Sequence, residues 1–376
     1  DQGRAHRSDP EGMSAVELEG VLVVGGGYAG VHAARSVIRA GHRAFIVDPT
    51  GQHDFVTRLA AVAGGAAPVG DASTSLSRFS DDVLVGSMVA LDDGTVTLDD
   101  GRELTAEAVI VTAGAVPTTP PIPGIELAAP LRTAEHALEL RERVGDADAV
   151  VIVGGGATGV QLAGAIAATH RDVAVSIIES SDGLLLGMDD AIGSDAVRIL
   201  RQRGVDVRLG LEVDEIFADG VDADGERIDG VPVWAAGFDA RADHFDVPVA
   251  DNGRIAIDEY LRIDGWERTF AAGDIADHRD ARGEELAMSA QIAVQAGDVA
   301  GRNALRMLRN DTLDRARLAH RGWVLDLSGY RGLAEFGPVA LSAPFLDLVP
   351  PLLHWGIDLK HLIETRGLAG LSDRAG

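Results

Sequence analysis

The sequence predicts an α/β protein that contains two parallel-sheet domains of the same design. A hydrophobic run, a glycine-rich turn and an alanine-rich run follow one another at residues 21–34 (VLVVGGGYAGVHAA) and again at 150–164 (VVIVGGGATGVQLAG). Each segment is typical of a buried strand that leads through a tight turn into a helix. Both are followed by short alternating strands with Asp-Gly turns, which close on Ala-Gly at Gly114 and Gly237. The chain therefore contains one strand–helix module twice.

The spacing of the glycines indicates what the two turns bind. Each turn has the pattern Gly-x-Gly-x-x-Gly, in which the first glycine makes the tight turn, the second lets a pyrophosphate approach the backbone, and the third lets the helix pack on the strand. The N-terminus of the helix then offers free N–H groups to the anion. The sequence thus predicts two Rossmann-type dinucleotide-binding domains. Their motif glycines are Gly25, Gly27 and Gly30 in the first and Gly154, Gly156 and Gly159 in the second.

An acidic residue ends the second strand of each module. Asp48 lies 23 residues after Gly25, and Glu179 lies 25 residues after Gly154. A carboxylate at this distance is placed to bind the ribose hydroxyls of a dinucleotide. The residues that follow Glu179 are Ser, Ser and Asp, with no arginine to neutralise a 2′-phosphate, so the sequence favours NAD over NADP. Two such sites in one chain suit the transfer of electrons between two dinucleotides.

Composition narrows the chemistry further. The 376 residues contain no cysteine, which excludes disulfides, iron–sulfur clusters and thiolate metal sites, and no metal site is predicted. The formal net charge is −26, so nucleic acid would be repelled over most of the surface. Residues 301–336 are a local exception, with seven arginines against four acidic residues. The polar residues before Met13 are expected to be a tag or an extension, and without an apolar signal segment a cytoplasmic location is expected.

Residues 21–304 resemble the flavoproteins with two dinucleotide-binding domains, and most closely the type II NADH:quinone oxidoreductases, with the apoptosis-inducing-factor group as more distant relatives. The resemblance rests on both glycine motifs, on the TAG that ends at Gly114 and on the AAGD that ends at Asp274. It implies that the first motif holds FAD, that the second holds NADH, and that the FAD domain is split around an inserted NAD domain. The expected boundaries are 13–118 and 251–310 for the FAD domain, 119–250 for the NAD domain and 311–376 for a C-terminal cap.

The resemblance also implies the residues of each cofactor site. Gly273 permits close backbone approach to a pyrophosphate, and Asp274 can accept a hydrogen bond from a ribityl hydroxyl or, alternatively, cap a helix. Besides the motif glycines, the FAD contacts are Ala29, Asp48, Arg58, Val89, Thr112, Gly114, Gly273 and Asp274. The NADH contacts are Thr158, Glu179 and Gly237 with the second set of glycines.

A third group of residues is expected at the electron acceptor. The segment SAQIAVQ resembles the Ala-Gln-x-Ala-x-Gln-Gln pattern of the family's quinone site, although Ala296 replaces the last glutamine. Gln291 and Gln295 are four residues apart and share a helix face, so their amides are expected at a quinone carbonyl or at the flavin edge; the alternative is two solvated glutamines. Gln161 stands where family members usually carry glutamate, and an amide cannot relay a proton as a carboxylate does.

One segment near the first module departs from the family pattern. In GQHDFVTRLAAVAGG, His53 and Phe55 match, but Arg58 stands close to where proline is common. Arg58 is expected either near the flavin or paired with Asp54.

The C-terminal region suggests a surface contact rather than a membrane span. Residues 336–357 carry a single charge, but four prolines would break the backbone hydrogen bonds that a bilayer span requires. An interfacial membrane anchor is expected instead, and a dimer interface or a lid is the alternative. The apolar stripe that supports it consists of Leu352, Trp355, Leu359 and Leu362.

These observations predict a membrane-peripheral FAD enzyme that takes hydride from NADH and passes electrons to a quinone. No side-chain nucleophile is needed, because nicotinamide and flavin exchange hydride once they are stacked. Two alternatives stay open: an NADH-dependent reductase of a ferredoxin or rubredoxin, and an NADH-binding flavoprotein with slow turnover like the apoptosis-inducing factor.

Overall fold

The computed structural model describes residues 15–329, 332–336 and 339–341. The helices in this part of the chain are α1 (Tyr28–Arg39), α2 (Leu59–Ala63), α3 (Ala134–Gly145), α4 (Ala157–Thr169), α5 (Asp190–Gln202) and α6 (Ala290–Leu308). The strands are β1 (Ala15–Val24), β2 (Ala44–Asp48), β3 (Gln52–Asp54), β4 (Ser73–Ser75), β5 (Asp82–Val85), β6 (Met88–Asp92), β7 (Thr95–Leu98), β8 (Glu103–Val111), β9 (Val116–Pro117), β10 (Ala129–Pro130), β11 (Ala149–Val153), β12 (Ala174–Glu179), β13 (Asp206–Leu209), β14 (Val213–Phe217), β15 (Gly220–Ala223), β16 (Glu226–Asp229), β17 (Val231–Trp234), β18 (Phe238–Asp239), β19 (Thr269–Ala271), β20 (Trp323–Asp326), β21 (Gly332–Phe336) and β22 (Val339–Leu341).

The larger sheet has seven strands in the order β5-β2-β1-β8-β7-β6, with β19 also paired to β8. Strands β5, β2, β1 and β8 run parallel, as does β19 on β8, while β7 and β6 turn back antiparallel. Residues 21–24 of β1 are buried on both faces, as expected for the middle of a parallel sheet covered on both sides. The last third of the chain thus returns to complete the first sheet.

The second sheet has five strands in the order β10-β17-β11-β12-β13, all parallel. It repeats the first module, because α4 connects β11 to β12 as α1 connects β1 to β2. A small antiparallel sheet, β14-β15-β16, packs beside it. The predicted α/β fold with two parallel sheets is confirmed.

The chain passes between the two sheets along a short two-stranded ribbon. Strand β9 follows the first sheet and pairs antiparallel with β18, which follows the second sheet. The two connections therefore run side by side. The domain boundaries expected at 118 and 250 stay predictions.

Helices α1 and α6 pack backbone to backbone on the larger sheet. A Cβ atom on Gly297 would collide with the Ala29 carbonyl oxygen, and one on Gly301 would lie 2.5 Å from the Ala33 carbonyl oxygen. Only glycine permits this approach. The contact fixes the N-terminus of α6 relative to the N-terminus of α1.

After α6 the chain runs back toward the second sheet. Residues 319–325, which we call the strap, lead into the antiparallel sheet β20-β21-β22, and Leu327 packs closely on Gly164 of α4. No helix in the described part of the chain is long and apolar enough to cross a membrane. The predicted amphipathic stripe at residues 352–362 lies outside the described residues.

Candidate active site

The first and third glycines of each motif are fixed by close backbone packing. Gly25 and Gly154 have φ angles of +102° and +114°, which favour glycine. A Cβ on Gly30 would collide with the Gly25 carbonyl oxygen, and one on Gly159 with that of Gly154. Backbone conformation and packing alone therefore explain why these four positions are glycine, without any ligand.

The middle glycine of each motif is different, because it faces open space. A Cβ on Gly27 or on Gly156 would meet no atom within 4 Å. These two residues precede α1 and α4, and neither helix has a side-chain cap at its N-terminus. Backbone N–H groups thus point into a gap that a side chain would narrow. This cradle fits a pyrophosphate at each turn.

The two acidic residues bind the same backbone position of their motifs. The Gly26 N–H donates to Asp48 Oδ2 at 2.9 Å, and the Gly155 N–H donates to Glu179 Oε2 at 2.7 Å. Burial opposes ionisation of Glu179, but hydrogen bonds from the backbone of Gly155 and Ser181 lower the pKa of this carboxyl below its ordinary value. Both strand ends therefore present an oriented acid, and Glu179 is an anion.

A cavity of about 490 Å³ lies where the N-termini of α1, α4 and α6 converge. Much of its wall is apolar and comes from α2, α6 and the strap. The predicted residues that it brings together are Gly27, Ala29, Thr112, Gly114, Thr158, Gln161, Gly273, Asp274, Gln291 and Gln295. Another cavity of about 500 Å³, on the far side of α4, is lined by His170, Arg171 and Arg203 and contains none of them.

Asp274 is held by an arginine that the sequence reasoning missed. Arg132 Nη2 donates to Asp274 Oδ2 at 2.7 Å, and its Nε donates to the Ala115 carbonyl at 3.1 Å. The guanidinium also lies 4.8 Å from the centroid of the Phe238 ring. Its place in the sequence could have identified Arg132 as a site residue. It closely follows β10 and so lies at the carboxyl edge of a parallel sheet, where ligands bind.

The two glutamines of α6 bind the strap. Gln291 Nε2 donates to the Gly322 carbonyl at 2.8 Å, and Gln291 Oε1 accepts from the Arg321 N–H at 2.9 Å. Gln295 makes the same pair of contacts with the backbone of Ala319. The solvated alternative is therefore wrong, and the amides expected at a quinone carbonyl are engaged with protein backbone.

His278 supports the turn that carries Asp274. The Gly273 N–H donates to His278 Nε2 at 3.0 Å, so this nitrogen is unprotonated. Complete burial, together with the charge of Arg254, lowers the pKa of His278 to about 4. A neutral imidazole thus holds the turn in place.

The predicted residues Arg58, Val89 and Gly237 are not among the residues that line the cavity. Arg58 Nη2 donates to Asp71 Oδ2 at 2.9 Å, whereas Asp54 accepts from the Ala134 N–H. The side chain of Val89 is 52% exposed on β6. Gly237 has a φ of +105° where the chain leaves the second sheet.

The chain is similar to known proteins in sequence and in fold. A family model described as pyridine nucleotide-disulphide oxidoreductase matches residues 19–297. The alternative NAD(P)H-ubiquinone oxidoreductase C1 of Arabidopsis thaliana is 28% identical, over 74% of this chain and 60% of its own length. The type II NADH:quinone oxidoreductase Ndh of Mycobacterium tuberculosis is 25% identical, over 89% and 83%. The structure of NDH2 from Plasmodium falciparum in complex with NADH has a TM-score of 0.77 at 15% identity and covers 92% of this chain and 95% of its own. The chain thus spans less than two thirds of the Arabidopsis relative.

Proposed function

Because the chain belongs to the pyridine nucleotide-disulphide oxidoreductase family, we propose that it oxidises NADH through a bound FAD and passes the electrons to a quinone. The family and the relatives make the chain an NAD(P)H oxidoreductase; the identity of the flavin, the nucleotide and the acceptor is the proposal. The observation that carries it is one cavity at which both glycine modules and an apolar wall meet.

FAD suits the first module. The open space at Gly27 accepts its pyrophosphate, and Asp48 is placed for the ribose of its adenosine. Asp274 and Arg132 lie in the cavity as a paired acceptor and donor for the ribityl chain and the phosphates. A sequence without cysteine offers no thioether tether, and we propose that the flavin is held noncovalently.

NADH suits the second module. Gly156 leaves room for its pyrophosphate, and Thr158 and Gln161 line the cavity on the side of α4. The anionic Glu179, fixed by the Gly155 N–H, accepts from ribose hydroxyls and repels a 2′-phosphate. The second module therefore favours NADH over NADPH.

The protein contributes binding, orientation and electrostatics. FAD, when bound, takes up hydride from NADH and delivers electrons to a second acceptor. The N-termini of α1 and α4 stabilise the two pyrophosphates, and the N-terminus of α6 directs its partial positive charge toward the cavity. None of the 376 residues is a cysteine, so no thiol of this sequence carries the electrons, and the acceptor itself must reach the cavity.

The acceptor side favours a flat apolar molecule. Val294 of α6 and Trp323, Val324 and Leu325 of the strap line the cavity together, which suits the ring and tail of a quinone. The backbone contacts of the two glutamines give them a different role from that expected. We propose that Gln291 and Gln295 position the strap at the acceptor site through these hydrogen bonds and do not bind the quinone carbonyl.

A ferredoxin-type carrier is the second candidate, favoured by an exposed arginine at the cavity and another nearby in the sequence. Arg321 lines the cavity and is exposed, and Arg317 is exposed nearby in the sequence. On a chain of net charge −26 this positive segment is complementary to the surface of an acidic protein. The strap, however, covers the cavity, and this favours a small acceptor.

Stopped-flow measurements on the two half-reactions test the proposal. The purified yellow protein is reduced anaerobically with NADH and then mixed with a panel of quinones or with a ferredoxin. We expect NADH to bleach the flavin, quinones to restore it, and acid to release all of the chromophore. Failure of every quinone to restore the flavin would overturn the quinone assignment, and rapid, salt-sensitive restoration by the ferredoxin would replace it.

A peripheral position on the membrane is a separate part of the proposal. It rests on the apolar stripe at residues 352–362, which is outside the described residues. Flotation with anionic vesicles of the full chain and of a chain ending at Gly337 tests it. We expect only the full chain to float. If both chains float equally, the stripe is not a membrane anchor, and a dimer interface or a lid is then its function.

A further inference from the structure

The wall of the cavity contains a buried histidine in contact with a half-exposed acid. His32 of α1 lines the cavity and is only 1% exposed. Its Nδ1 lies 3.3 Å from Asp298 Oδ1 on α6, and the Asp298 side chain is 37% exposed. Asp298 lies outside the lining of the cavity. The pair thus connects the interior of the site with the surface across the α1–α6 interface.

His32 differs from the other ionisable groups in this wall. The other ionisable residues among the described residues that line the cavity are Tyr28, Arg132, Asp274 and Arg321. Arg132 and Asp274 are paired with each other, arginine stays protonated at neutral pH, and the Tyr28 hydroxyl is hydrogen bonded to Thr57 Oγ1. Histidine is the side chain that both gains and loses a proton near neutral pH. His32 is therefore the lining residue best suited to proton transfer.

The proposed reaction needs such a group. Reduction of a quinone to a quinol adds two electrons and two protons, and a hydride from NADH supplies both electrons and one proton. The balance is NADH + H⁺ + quinone → NAD⁺ + quinol, so one proton must come from water. Gln161 lines the cavity at a position where a carboxylate could transfer this proton, but its amide cannot do so.

We propose that His32 and Asp298 form the proton route into the cavity, in which His32 delivers the proton for quinone reduction and is reprotonated from solvent through Asp298. The proposal rests on the proposed function. His32 is the catalytic residue of this route, and Asp298 is its positioning partner.

Neighbouring charged and polar groups shift the pKa of Asp298. Burial alone would raise the pKa of Asp298, but hydrogen bonds from His32 and Ser36, with the positive charges of His32 and Arg35, lower it below its ordinary value. Ser36 Oγ donates to Asp298 Oδ1 at 3.1 Å, and Arg302 follows Asp298 by one helical turn on α6. Asp298 therefore stays ionised at neutral pH.

The test separates the two half-reactions in His32→Gln and Asp298→Asn. Hydride uptake from NADH needs no solvent proton, so flavin bleaching is expected to stay nearly unchanged. Reoxidation by a short-chain benzoquinone is expected to slow about a hundredfold, the lower end of the range for loss of a general acid, and to gain a solvent isotope effect. Imidazole in the buffer should restore the rate of His32→Ala.

A second readout does not depend on turnover. A ¹³C NMR titration of Asp298 in the purified protein should give a higher midpoint in His32→Ala than in the wild type, because a hydrogen bond and a positive charge are lost. His244→Gln, which changes an exposed histidine outside the cavity, is the control and should leave both half-reactions unchanged. Asp298→Asn keeps the size of the side chain and its bond to Ser36, so it separates proton transfer from helix packing.

The outcomes distinguish this proposal from the proposed function. If no quinone reoxidises the wild-type flavin, the proposed function fails whatever His32 does. If quinone reoxidises wild type, His32→Gln and Asp298→Asn at equal rates and with equal pH profiles, the proton route is wrong. Equal slowing of both half-reactions would also overturn it, because a merely structural role predicts that result.

Discussion

Glu179 accepts a hydrogen bond from the Gly155 N–H at 2.7 Å, which ties the end of one strand to the glycine turn of its neighbour. Asp48 and Gly26 form the same contact at 2.9 Å in the first module. In each case the acid that we propose for a ribose and the turn that we propose for a pyrophosphate belong to one hydrogen-bonded unit. Each dinucleotide site is therefore preorganised by its own backbone.

Replacing Glu179 tests nucleotide selectivity. A carboxylate about 4 Å from a phosphate costs roughly 1 to 4 kcal/mol, so Glu179→Ala should narrow the NADH-to-NADPH ratio of kcat/KM by about tenfold or more. Asp172→Ala removes an exposed acid that precedes β12, at the opposite end of the strand, and should leave the ratio unchanged. An unaltered ratio in Glu179→Ala would assign selectivity to other residues.

Alanine at the middle glycines should separate the two cofactors. Because a Cβ on Gly27 or Gly156 meets no protein atom within 4 Å, both variants should fold with nearly wild-type melting temperatures. Gly27→Ala should lose flavin on gel filtration, whereas Gly156→Ala should keep flavin and bind NADH more weakly. Gly145→Ala, which also has open space around it, is the matched control. Retention of flavin by Gly27→Ala would contradict the assignment of the first module.

The strap contacts predict a selective effect of Gln291→Glu. The carboxylate cannot donate to the Gly322 carbonyl and would repel it, so the strap should loosen over the cavity. We expect slower reoxidation by quinone and faster reaction of the reduced flavin with oxygen, while bleaching by NADH is retained. Gln202→Glu on the exposed end of α5 is the control. If the reduced flavin reacts with oxygen at the same rate in Gln291→Glu and in the wild type, the strap is not part of the acceptor site.

His278 predicts a pH-dependent part of the stability. Its pKa falls from 6.5 to about 4 on folding, so between these values the unfolded chain binds a proton that the folded chain does not. The free energy of unfolding should therefore fall as pH drops through this window, by about 3 kcal/mol from this group. Urea unfolding from pH 7 to 4 should show a smaller loss in His278→Gln than in the wild type. An equal loss in both would contradict the prediction, and His244→Gln should follow the wild type.

The local motifs predicted much of the fold and of the two nucleotide turns. Gly27 and Glu179 could be recognised because each acts within one strand–turn–helix unit whose spacing is set by backbone geometry. Arg132 could not, because its partner Asp274 lies 142 residues away and is reached only when β19 returns to the first sheet. The partners of Gln291 were hidden for a similar reason, because Arg321 and Gly322 lie about 30 residues further along the chain, in a segment without regular structure that leaves no periodic pattern.

The side-by-side connections at β9 and β18 have a consequence for synthesis on the ribosome. All strands of the five-stranded sheet lie between residues 129 and 234, whereas the seven-stranded sheet needs β19 at residues 269–271. The nascent chain thus completes the five-stranded sheet before the seven-stranded sheet, although the seven-stranded sheet contains the first strand, β1. This reverses the usual N-to-C order of domain completion, and residues 109–111 of β8 must wait for their second strand partner until β19 is made.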